Sequence, residues 1–285
     1  MKWTNDSSGG NVEDRRGSGG GGGMLVGGGL GSLIIAAIIF FLGGDPSAIL
    51  SSGMQSSAPT EQRELNADEK KVYQFVDMLE SANRTTWTGI FQENGIRFSP
   101  AKVVMFENVT QSGCGTAQSA MGPFYCPVDQ TIYVDMSFFQ ELQQRFGAQV
   151  TDFTVAYVLG HEYGHHIQNL LGTLGKTEEL RRSGRYSESD MNRVSVATEL
   201  QADFYAGLWA KKTNDRAQII EPGDIESAIS AAAAVGDDNI QRRSQGYVNQ
   251  ESFTHGSSAQ RKEWFMKGYN SGDIRQGNTF DQLLR

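Results

Sequence analysis

Apolar positions recur every three to four residues across 151–172, at Phe153, Ala156, Tyr157, Leu159, Ile167, Leu170 and Leu171. That is the period of a helix burying one face, with Thr151 or Asp152 to cap its start and Gly172 to end it. The same period predicts a helix through Val72, Phe75, Val76 and Leu79, and another through Trp87, Ile90 and Phe91 ending near Gly95. Further helices are predicted over 138–146 ahead of Gly147, over 191–212 behind a Ser187/Asp190 capping box, and over 225–235. A last one starts at Ser257 or Ser258 and carries Arg261, Trp264 and Phe265. Short β-branched runs at 102–106 and 131–134 predict two strands. The domain over 66–285 therefore reads as α+β, mostly helical with a small β-sheet.

The chain ahead of it is patterned differently. Residues 1–23 are polar and glycine-rich and predict a disordered tail. Residues 24–42 then run without a charge, and at 1.5 Å per residue they span about 28 Å, close to the hydrocarbon thickness of a bilayer. This predicts one N-terminal transmembrane helix, followed over 43–65 by a Ser-, Ala- and Pro-containing linker. Lys2, Arg15 and Arg16 precede the apolar stretch and Arg63 is the first basic residue after it. By the positive-inside rule the N-terminus is expected in the cytoplasm and the domain outside, on a single-pass protein of the cytoplasmic membrane. Cys114 and Cys126 fit an exported domain as a disulfide pair.

The candidate chemistry lies on the helix over 151–172. His161 and His165 are four apart, so they project from one face and can hold one metal ion, with Glu162 beside them to take a proton from water and pass it to a leaving amine. Tetrahedral zinc asks for a third protein ligand. Glu199, in the helix over 191–212, is the best candidate, and Asp203 one turn later is placed to accept a hydrogen bond from a ligand histidine. A different reading takes Cys114 as third ligand, as in the peptide deformylases. Downstream, His255 and Arg261 are candidates to steady an oxyanion or contact substrate. His166 lies off the metal face and is expected to meet solvent or a backbone carbonyl. Residues 131–135 are the candidate edge strand for an extended substrate, and residues 175–185 read as a mobile flap or a surface loop.

Composition narrows the alternatives. At 285 residues and 38% hydrophobic content the chain can bury a substantial core. A net charge of -8 argues against a nucleic-acid partner. No glycine-rich phosphate loop stands at a strand-to-helix junction.

These residues resemble the bacterial putative neutral zinc metallopeptidase family, a single-span membrane-anchored group. The resemblance runs over nearly the whole chain: G-C-G at 113–115, Y-C-P at 125–127, I-Y-V-D at 132–135, V-L-G-H-E-Y-G-H-H-I-Q at 158–168, E-L-Q-A-D-F-Y-A-G at 199–207 and F-T-H-G-S-S-A-Q-R at 253–261. It implies a zincin-like domain with a gluzincin-type site, one Zn2+ per chain held by His161, His165 and Glu199, and Glu162 as general base. The expected activity is hydrolysis of a peptide or protein substrate by a membrane-anchored zinc metallopeptidase, with the lipid bilayer met through residues 24–42. The alternative is a catalytically silent zinc-binding scaffold for partner proteins of the cell envelope.

Overall fold

The computed structural model describes residues 1–3, 10–16 and 64–283. Strand β1 (Val12–Asp14) comes first, then helix α1 (Ala67–Glu93), β2 (Lys102–Met105), the hairpin β3 (Val109–Ser112) and β4 (Gly115–Gln118), β5 (Phe124–Cys126) and β6 (Thr131–Val134). Helices follow: α2 (Ser137–Phe146), α3 (Asp152–Leu170), α4 (Thr173–Arg182), α5 (Glu188–Ala217), α6 (Asp224–Ala234), α7 (Asp237–Gln245), α8 (Ser258–Ser271) and α9 (Phe280–Leu283). The expected mixture, mostly helical with small sheets, is what the described residues form. The main sheet is ordered β1-β2-β6-β5, with β1, β2 and β6 parallel and β5 antiparallel to β6.

The core is built around α3 and α5, where Trp87, Phe91, Phe153, Tyr163, Phe204 and Trp209 are fully buried. Two close approaches fix this packing. A Cβ on Gly164 would lie 2.8 Å from the carbonyl oxygen of Ala202, and one on Gly207 would lie 1.9 Å from that of Phe265. Glycine at these positions lets α3 touch α5 and α5 touch α8 backbone to backbone, which brings residues from three helices to one point.

Caps agree closely with the sequence. Thr151 caps α3, Ser187 and Asp190 form a capping box for α5, Ser257 caps α8, and Gly147 closes α2 in the left-handed region at φ 73°.

Four expectations change. The two helices predicted over 72–95 are one, α1. Asn83 donates to Leu79 O and Thr86 hydrogen-bonds buried Thr213, so polar residues that read as a break are absorbed inside a continuous helix. Residues 173–182 form α4 where a flap or surface loop was predicted, supported by Glu178 pairing with Arg181 and Arg182 three and four residues on. Residues 131–134 are interior to the sheet, between β2 and β5, so the edge strand at that end of the sheet is β5. Disorder over 1–23 does not hold at 10–16, because Val12–Asp14 pair with Val103–Met105. The predicted transmembrane helix over 24–42 and most of the linker lie outside the described residues. Among the described residues no helix is long and apolar enough to cross a membrane.

Candidate metal centre

His161 and His165 stand one turn apart on α3, both buried, with ring centroids 4.8 Å apart. Glu199 reaches them from α5: its Oε2 is 3.2 Å from His161 Nε2 and its Oε1 is 3.4 Å from His165 Nε2. One ligand atom from each of the three lies within 4.8 Å of the others. A tetrahedral ion with bonds of 2.0–2.1 Å holds its ligand atoms about 3.3–3.4 Å apart, and each histidine Nε2 has one of the two Glu199 oxygens at about that separation.

The outer ring nitrogens support the same assignment. His161 Nδ1 is 2.9 Å from Asp203 Oδ1, and His165 Nδ1 is 2.8 Å from Gln168 Oε1. Each acceptor draws the ring proton to Nδ1 and leaves the Nε2 lone pair facing the common point. Gln168 is itself fixed by donating to Thr198 O and Gln201 Oε1. Asp203 also accepts from Tyr157 OH at 2.6 Å, from Arg261 Nε at 2.8 Å and from Arg261 Nη2 at 3.0 Å.

Arg261 is buried against Asp203, behind the histidine of the metal position, and it also lines the smaller of two cavities at the site, together with Glu162, Glu199 and His255. Asp203 is where the sequence placed it. Cys114 is bonded to Cys126, so it is not a metal ligand. His166 is fully buried rather than at solvent; it meets the Ser99 carbonyl at 2.6 Å and Tyr125 OH at 3.0 Å, and so holds β5 against α3.

His255 does reach the site. It lines two cavities that meet at Glu199 and itself. Its partner, Asp237, was missed by the sequence reading: one carboxylate oxygen accepts the backbone N–H groups of Thr254, His255 and Gly256, and the other is 3.2 Å from His255 Nδ1. Asp237 opens α7, a helix too polar and short to show in the hydrophobic pattern.

The electrostatics separate the roles. Burial pushes Glu162 up, to about 8, despite the opposing pull of His161. Burial depresses His165 to about 4. His161 is also disfavoured as a cation by burial, but Asp203 and Glu199 outweigh this and carry it to about 10. Burial raises Glu199 and the two histidines reverse it, leaving the carboxylate well below its usual range. Burial disfavours charge on His255, and Asp237 more than compensates, so its pKa is raised. Among the described residues the buried Oε2 of Glu162 has no hydrogen-bond partner, which fits a group whose partner is water or substrate. The backbone N–H of Tyr125, in β5, faces the Glu162 carboxylate and favours its ionised form.

The two cavities differ in character. One, of about 160 Å3, has Phe124, Phe138, Leu142, Val158 and Val235 in its lining beside the site residues. The other, of about 520 Å3, runs past Tyr125 and Val128 to Arg181 and Arg182 on α4.

Comparison with known proteins points the same way. The profile of a family described as "Putative neutral zinc metallopeptidase" matches residues 1–280. Uncharacterized protein YpfJ of Escherichia coli K12 is 40% identical over 235 residues, covering 82% of this chain and 80% of that one. Uncharacterized protein Rv2575 of Mycobacterium tuberculosis is 46% identical over 185 residues, 62% of this chain and 61% of its own. No solved structure matches.

Proposed function

The chain belongs to the putative neutral zinc metallopeptidase family, and from that premise we propose that it is a zinc-dependent peptidase with a zincin-like domain. The observation that carries this reading is the convergence of His161, His165 and Glu199 on one point beside an unpartnered Glu162 carboxylate oxygen.

His161, His165 and Glu199 would hold one zinc ion, and a donor set of two imidazoles and a carboxylate suits it. When bound, zinc polarises a carbonyl and makes nearby water acidic. Glu162, lifted to about 8 by burial, is poised to take a proton near neutral pH and return it to the departing amine nitrogen. His255, oriented by Asp237 and favouring its cationic form, donates from Nε2 to the developing oxyanion. Asp203 and Arg261 keep His161 in the required tautomer. A peptide strand adding to the outer edge of β5 would pass Tyr125 and place a carbonyl beside Glu162.

We place the body outside the cytoplasm, attached to the cytoplasmic membrane through residues 24–42; the Cys114–Cys126 disulfide supports an oxidising compartment. The test is turnover of a mixed peptide library by the full chain and by Glu162→Gln. Cleavage by the parent and a loss of about 100-fold or more in the zinc-loaded variant are expected. Equal inertness of both, with zinc bound, would identify a scaffold instead.

A further inference from the structure

The N-terminal arm is part of the metal-bearing body. Val103 N donates to Asn11 O at 2.9 Å and Arg15 N donates to Met105 O at 2.8 Å, which seats β1 as the outermost strand of the main sheet. Side chains lock it in place. Asn11 Nδ2 donates to the fully buried Glu80 at 3.0 Å, and Glu80 also accepts from Tyr163 OH, on the metal helix itself, at 3.3 Å. Ahead of the strand, Lys2 N donates to Ile219 O and Trp3 stacks on Phe75.

The end of the arm meets the start of α1. Buried Arg16 is clamped by Asp14 and donates from Nη2 to Glu69 O at 2.9 Å, in the first turn of α1. Arg16, Asn66, Asp68 and Glu69 line one surface cavity of about 450 Å3. The chain that leaves after Arg16 therefore returns, at the cap of α1, to the place it left.

We infer that the arm lies on the same side of the bilayer as the body. A helix that crosses a membrane once separates its two flanks by about 30 Å of hydrocarbon. Paired strands stand only about 4.8 Å apart. The two arrangements exclude each other for Val12–Asp14 and Val103–Met105. Opening the pairing to allow a crossing would strip β2 of its backbone partners on the side away from β6 and leave Glu80 without Asn11, each a buried polar loss. This placement of the arm departs from the expected cytoplasmic N-terminus, and it does not depend on the protein being a peptidase.

The experiment uses full-length protein in right-side-out and inverted membrane vesicles, carrying Lys2→Cys or Arg275→Cys, both at exposed positions. The two native cysteines are bonded to each other and do not compete for label. A membrane-impermeant maleimide is expected to label both variants in the same vesicle orientation. Labelling in opposite orientations overturns the inference. Zero-length carboxyl-to-amine cross-linking of the parent in membranes gives a second reading, since Glu13 feels the charge of neighbouring Lys102. An intrachain Glu13–Lys102 product is expected; singly modified Glu13 and Lys102 with no such product would contradict the pairing.

Discussion

The Asp203 carboxylate holds His161 Nδ1 at 2.9 Å while Arg261 grips it at 2.8 Å and 3.0 Å. One aspartate thus ties the metal helix α3 to α5 and α8. Asp203→Asn keeps the size but loses the charge that fixes the imidazole, and zinc affinity is expected to fall about 10- to 100-fold. Arg261→Ala leaves a buried carboxylate without its cation and should lower stability by about 3–5 kcal/mol. Competitive chelator titration reads the first effect and denaturant unfolding the second.

Cys126 belongs to β5, next to the Tyr125 backbone that faces Glu162, and its bond to Cys114 ties this edge strand to the β3–β4 hairpin. Closing a loop of this size contributes up to about 3 kcal/mol. The Cys114→Ser, Cys126→Ser double variant should unfold at lower denaturant and show a raised KM with zinc content unchanged. Loss of zinc together with the KM effect would contradict a role confined to the strand.

Glu80 gives a pH dependence away from the metal. Burial raises its pKa, against the opposing hydrogen bond from Asn11 and the charge of Arg84. The folded state therefore binds this proton more tightly than the unfolded chain. Its contribution is fully present below the ordinary value of 4.5 and fades as pH rises through the folded pKa. Glu80→Gln keeps an acceptor for Asn11 and Tyr163 without a titrating group, so its melting temperature should fall less than the parent's as pH is raised from 4.5. Parallel curves would count against this.

Cavity size and strand direction together bear on specificity. Antiparallel pairing is the commoner choice, and a peptide so added to β5 runs from the Cys126 end to the Phe124 end. Its residue after the scissile bond then falls in the narrow apolar cavity. At about 160 Å3 this cavity is the size of one known to hold a benzene ring, about 150 Å3, so it suits Leu or Phe. Sequencing of cleavage products should show Leu or Phe favoured there over Ala by about 10- to 200-fold, and Val235→Trp should shift the preference to Gly and Ala. An apolar preference before the bond instead would mean a parallel peptide.

Much of the site was legible because helix geometry alone relates its parts. His161, Glu162 and His165 follow from spacing within α3, and Glu199 with Asp203 from one turn of α5 in an apolar setting. What the sequence hid was contact between distant segments. The grip of Arg261 on Asp203 was hidden because nothing in the chain announces that the two lie 2.8 Å apart. Asp237 was missed because its work is done through backbone N–H groups of the 254–256 turn, which any residue type supplies. β1 was missed because three residues in a polar glycine-rich context carry no periodic signal, and only pairing with β2 makes them a strand.

The central claim is that Glu199 completes a metal site with His161 and His165. It is tested most directly by elemental analysis of the full-length protein and of Glu199→Ala, each dialysed against zinc and then against buffer. One zinc per parent chain and about 0.1 or less in the variant, given the usual strength of three-ligand binding, is the result predicted. A parent without zinc, or a variant that keeps a full equivalent, would contradict it.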